Sequence, residues 1–146
     1  MYFVDRNKIE QTLQCLEQAT EAFLAKQEYE SIIERYALER MAHLIVDAIL
    51  DVGNAMIDGF IMRDPGSYED IIDIMMDENV VQASEGEQLK KIVRLRKMLV
   101  QDYIHVQHEE VASALKANME AIQAYPSRIR RYLEQELGPV SAFTNS

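Results

Sequence analysis

The sequence has no tryptophan, one cysteine, three prolines and five glycines among its 146 residues. So few turn-formers leave little room for tight hairpins, which argues against a strand-rich fold. Cys15 alone can form no internal disulfide, and a lone thiol fits a reducing, cytoplasmic setting. Cations are scarce as well, 15 against 25 acidic residues, for a formal net charge of −10. That balance argues against broad, unspecific nucleic-acid binding. The opening "MYFVDRNKIE" lacks the basic and then apolar run of a secretory leader, so none is expected. The most apolar stretch, Leu44 to Met62, carries nine Leu, Ile, Val or Phe residues, worth roughly −3 to −5 kcal/mol of membrane insertion. Its three aspartates oppose this by about +3 kcal/mol each, so a buried helix is expected and no membrane contact.

What is present reads as helix. Ile9, Leu13, Leu16 and Phe23 recur at helical spacing behind Asp5, a good N-cap, and predict a first helix to about Gln27. A long second helix follows from about Tyr29 to Met62; apolar almost all round in its second half, it belongs at the centre of a bundle. Pro65-Gly66 is turn chemistry, and Ser67 is placed to cap a third helix over about Tyr68 to Glu78. "SEGE", Ser84 to Glu87, has the form of a capping box and predicts a fourth helix to about Tyr103. A fifth runs from near His108 toward Leu137, with Pro126 expected to kink or split it. The expected fold is all-α: an up-and-down bundle of about five helices in one domain over residues 1–138, with 139–146 as a flexible tail.

Three groups of residues carry chemistry. His43, Asp47, Asp51, Asn54 and Asp58 share one face of the second helix. No second helix offers the matching set that a bundle metal site needs, so no metal and no cofactor is expected, and the acids are expected to meet arginine or solvent. Between Lys90 and Lys97 lie five cations and no acid. Lys90, Arg94, Arg96 and Lys97 are the candidates for phosphate or RNA contact, although a run of this length is usually a solvated face. The second-helix aspartates are placed to orient Arg96 by bidentate pairing while leaving part of its guanidinium for a phosphate. Beyond it, Tyr103 falls seven residues after Arg96, on nearly the same helical face, and His105 lies one turn after Gln101.

"RKMLVQDY", Arg96 to Tyr103, resembles the Arg-x4-His-x-Tyr motif of the HepT-like toxins, a branch of the HEPN superfamily. The likeness extends to "ALERMAHLIVDAILDVGNAMI" in the second helix, and to "YEDIIDIMMDENVV" and "EQLKKIVRLRKMLV" in the third and fourth. The resemblance implies a helical homodimer whose motif helices meet across a composite cleft, and a metal-independent endoribonuclease from a toxin–antitoxin pair. It implies that Arg96 stabilises the scissile phosphate, and that Tyr103 lines the cleft and is the residue a nucleotidyltransferase antitoxin would modify. The motif histidine falls at Gln101, whose neutral amide cannot exchange a proton near pH 7. Catalysis is therefore expected to be impaired, unless His105 serves as a substitute base. The alternative is a non-catalytic dimer that binds RNA, a nucleotide or a partner. The apolar set Ile92, Leu95 and Leu99 is the expected dimer face on the fourth helix.

Overall fold

The computed structural model describes residues 2–139, and among these every regular element is helical. Six α-helices run in the order α1 (Arg6–Leu24), α2 (Ile32–Gly59), α3 (Tyr68–Asp77), α4 (Ala83–Val93), α5 (His108–Ala117) and α6 (Met119–Leu137). The expected tail lies outside the described residues apart from Pro139. No described helix is long and apolar enough to cross a membrane.

The starts of the helices follow local chemistry. Asp5 accepts the Lys8 N–H at 3.0 Å, Ser31 and Glu34 form a reciprocal capping box on α2, and Ser67 accepts the Asp70 N–H at 3.1 Å on α3. At α4 the cap lies two residues earlier than "SEGE" suggests. Gln82 is the N-cap and the Glu85 carboxylate takes its N–H at 3.0 Å. Glu85 is thereby also placed to hold the Arg128 fork of α6 at 2.8 Å, a tie that Ser84 and Glu87 do not make.

The expected fifth helix is two helices, and the break is at Asn118 rather than Pro126. Asn118 is buried, its Nδ2 donates to the Ala114 carbonyl at 2.9 Å, and its backbone (φ −115°, ψ 18°) ends α5. The Ala114 carbonyl thus accepts twice, from the Asn118 side chain and from its backbone N–H at 3.2 Å, which closes the last turn of α5. Pro126 stays inside α6, buried, where apolar packing offsets the hydrogen bond it cannot donate.

Helix α2 is the axis of the bundle. It packs against α1, α3, α4, α5 and the turn that follows α4, and Ile45, Val46, Ile49 and Met56 on it are fully buried. The Tyr125 hydroxyl, buried on α6, donates to the Ile49 carbonyl at 2.8 Å and ties the last helix to this axis. Gly53 lets α3 approach closely: a Cβ there would stand 2.5 Å from Ile71 Cγ2. Ile92, Leu95 and Leu99 are buried in the chain's own core, so they are not the free apolar face the sequence suggested.

Candidate functional site: a cationic groove beside a wide helical turn

Helix α4 does not continue unbroken to Tyr103. The chain turns at Arg94, winds on through Leu95 and Arg96, and enters a π-turn over Lys97–Gln101. The Asp102 N–H donates five residues back, to the Lys97 carbonyl at 3.0 Å, and Asp102 (φ −99°, ψ 38°) ends the helix. Tyr103–His105 is a separate single turn of 3₁₀ helix, closed by the His105 N–H on the Asp102 carbonyl at 2.9 Å. Face relations that assume a continuous α-helix from Arg96 to His105 therefore do not hold here.

The wide turn has a consequence for the motif. Five residues apart on a regular α-helix, the side chains of Arg96 and Gln101 would point about 140° apart. An i to i+5 turn brings such residues back toward one face, and single π-turns of this kind recur at functional sites. Arg96 and Gln101 do line one groove, of about 650 Å³, together with Ser67, Tyr68, Glu69, Asp73, Val93, Arg94 and Lys97. Gln101 also borders a second hollow of about 390 Å³, shared with Met98, Asp102, Ile104, His105 and Gln107.

Arg96 is the best-supported side chain of the groove. Its Nε donates to Asp47 Oδ1 at 3.0 Å, and Asp47 Oδ2 meets His43 Nε2 at 2.8 Å. Its guanidinium carbon lies over the Tyr68 ring, 4.7 Å from the centroid. Only Nε is engaged in these hydrogen bonds, so the two terminal nitrogens keep their donors for an incoming anion. With 23% of its side chain exposed, the cation is shielded from bulk water yet reachable. The polar stripe on α2 thus supplies an arginine tether at Asp47, through one bond instead of the bidentate pair expected, because the second Asp47 oxygen is taken by His43.

The other candidates divide. Arg94 lines the groove, but Glu69 engages it through Nε and Nη2 at 3.0 and 2.9 Å. The Arg94 hydrogen bonds in turn hold the Glu69 carboxyl below its usual range, which makes it a poor base. Lys90 lies outside the groove lining and is held by Asp73 at 2.8 Å and Glu87 at 3.0 Å. Lys97 lines the groove and makes no ion pair among the described residues. Arg96 and Lys97 are therefore the cations available to a phosphate.

Tyr103 is 64% exposed on the turn beyond the helix and does not line the Arg96 groove within the single chain. Neither does any histidine. His43 is engaged by Asp47, His108 by Glu39 at 2.6 Å, and His105 borders only the second hollow. Among the described residues no cluster of histidine, cysteine and carboxylate side chains could hold a metal ion. Tyr68 was missed by sequence reasoning: beside the capping Ser67 it reads as an ordinary first residue of a helix.

The comparisons with known proteins agree with this architecture. A family model described as "Ribonuclease HepT-like" matches residues 8–129. The Bacillus subtilis (strain 168) protein named "Putative RNase YutE" is 54% identical over 143 residues, covering 98% of this chain and 99% of that protein. A solved structure of YutE from Bacillus subtilis, described as a cytosolic protein of unknown function, superposes with a TM-score of 0.94 over 98% of this chain and 100% of its own. A tri-AMPylated Shewanella oneidensis HEPN toxin, solved in complex with its MNT antitoxin, has the same fold. Its TM-score is 0.71 at 18% identity, covering 90% of this chain and 99% of that one.

Proposed function

The chain belongs to the HepT-like ribonuclease family, and we propose that it grips RNA phosphate at Arg96 and Lys97 but is impaired in cutting it. What carries this reading is the composition of the groove. A tethered arginine with free terminal donors lines the groove together with Gln101, and no histidine lines the same surface. Arginine aimed at a phosphate stabilises the charge that builds on it during in-line attack. The missing partner is a group to take the proton from the attacking hydroxyl. Gln101 cannot, the carboxylates in the groove are paired with cations, and general acid–base transfer is worth about 10²–10⁴ in rate. Any residual activity would be that of a metal-independent endoribonuclease.

Two further parts of the reading come from the family. The chain acts as a homodimer in which a second copy completes the cleft; exposed Ile104 beside the groove-bearing helix suits such a contact, and sedimentation at micromolar concentration tests it. A nucleotidyltransferase antitoxin modifies Tyr103, whose exposure leaves its hydroxyl within a partner enzyme's reach.

The test is to incubate the pure protein with mixed cellular RNA in chelator and follow binding and cleavage separately. Wild-type is expected to retain RNA in a salt-sensitive manner that Arg96→Ala abolishes, with little cutting. Brisk chelator-resistant cleavage by wild-type would overturn impairment, and salt-insensitive retention would overturn the phosphate grip.

A further inference from the structure

We propose that Tyr68 is a base-stacking platform: the nucleobase next to the phosphate held by Arg96 lies on the solvent face of its ring. The inference rests on the phosphate-binding reading of the groove and adds a subsite for single-stranded RNA. Tyr68 lines that groove and is 48% exposed although it also packs against a guanidinium. Arg96 covers one face at 4.7 Å, which leaves the exposed area to the rest of the ring. A π-face beside a tethered cation is the pairing that single-stranded nucleic-acid sites use, with backbone held by charge and base held by stacking.

The ring is also held in place before any ligand arrives. Tyr68 is the first residue of α3, directly after the capping Ser67. The preceding turn is clamped by Asp70, which takes both arms of the Arg63 fork at 2.7 and 2.8 Å and the Gly66 N–H at 2.8 Å. Below it, the close approach at Gly53 seats α3 on α2, the helix that carries the Asp47 tether. Platform and phosphate clamp are thus fixed on one frame, and a groove of about 650 Å³ is large enough for a nucleotide. A preorganised ring loses little freedom on stacking, so its contribution to affinity is not spent on ordering.

The experiment uses the full chain and single-stranded oligoribonucleotides, each carrying one 2-aminopurine scanned along the strand, plus matching strands with an abasic residue at each position. Wild-type is expected to quench 2-aminopurine fluorescence at one position. Tyr68→Leu is expected to lose that quench and weaken intact RNA by roughly 5- to 100-fold. Against the strand abasic at that position, wild-type and Tyr68→Leu are expected to bind alike. Tyr68→Phe, which keeps the π-face, is expected to match wild-type and serves as the folding control. If Tyr68→Leu weakens intact and abasic strands equally, the ring acts only by supporting Arg96 and the stacking subsite is overturned. If Tyr68→Leu changes nothing while Arg96→Ala abolishes binding, the platform falls and the phosphate-binding reading stands. If wild-type binds none of the strands, both fall.

Discussion

Replacing Gln101 with histidine should convert a binding groove into a cutting one. The side chain is exposed at the border of the Arg96 groove and the His105 hollow, so an imidazole can replace the amide without disturbing the core. An exposed histidine has a pKa near 6.5, so about three quarters of it is neutral and able to accept a proton at pH 7. Neighbouring Arg96 and Lys97 favour that neutral form further. A correctly placed base contributes about 10²–10⁴ in rate, roughly 3–5 kcal/mol of barrier. Because this wild-type groove is built around an amide, the lower end is the expectation, about 10²-fold. The assay compares the cleavage rates of wild-type and Gln101→His on one RNA in chelator between pH 5.5 and 8. The gain should grow as pH rises through the imidazole pKa. Proton removal from the 2′-hydroxyl, attack on the adjacent phosphate and departure of the 5′-oxygen would leave cyclic phosphate ends. Arg96→Ala in the same background should abolish the gain, and His105→Ala should change little. If wild-type already cuts briskly and His105→Ala stops it, the reasoning is refuted, because proton transfer has then moved to the second hollow.

Three other outcomes follow from individual contacts. Tyr125→Phe removes the buried hydroxyl's bond to the Ile49 carbonyl and should cost about 1 kcal/mol, lowering Tm by about 3 °C in a thermal scan. The Arg63 hydrogen bond and the Gly66 N–H lower the Asp70 carboxyl from 3.8 to about 2, so its charged form favours the folded state above pH 3.8, and that advantage disappears as pH falls through about 2. Denaturant midpoints of wild-type and Asp70→Asn should accordingly differ at pH 6 and converge near pH 2; a gap that persists at pH 2 would assign the effect to something other than this titration. Co-expression with a cognate nucleotidyltransferase should raise the intact mass of wild-type but not of Tyr103→Phe, and a shift that survives the substitution would exclude that tyrosine.

The bundle was legible because its signals are local and redundant. Asp5 and Ser67 announce helix starts with side chains that do cap them, and the apolar second half of α2 requires a central position. The tether on Arg96 was legible too, since the acids of this face were expected to meet arginine or solvent, and Asp47 meets Arg96 while Asp51 and Asp58 are exposed. Where the reading failed, two local rules competed. Pro126 is the stronger helix-breaker by propensity, yet the break fell at Asn118, whose side chain can satisfy a helix carbonyl while Pro126 is buried against the core. Ile92, Leu95 and Leu99 recur at helical spacing, but spacing alone does not say whether an apolar face meets its own chain or another. Tyr68 carried no signal, because its role depends on an arginine 28 positions away in sequence.

The π-turn explains why the motif's spacing works in space although it is wrong for an α-helix. A phosphate clamp and a proton-transfer group must face the same reacting atoms, which on a regular helix calls for separations of three, four or seven residues. Arg96 and Gln101 are five apart. The wide turn at Lys97–Gln101 absorbs the mismatch, and the Asp102 N–H bonded to the Lys97 carbonyl closes it. The relation of positions 96 and 101 is therefore set by the backbone of the wide turn. On the function proposed above, a histidine at position 101 supplies proton transfer that glutamine does not, while Arg96, Asp47 and Tyr68 keep their relation to one another. On that reading one substitution separates RNA retention from RNA cleavage, and Gln101→His has a prepared site to act on.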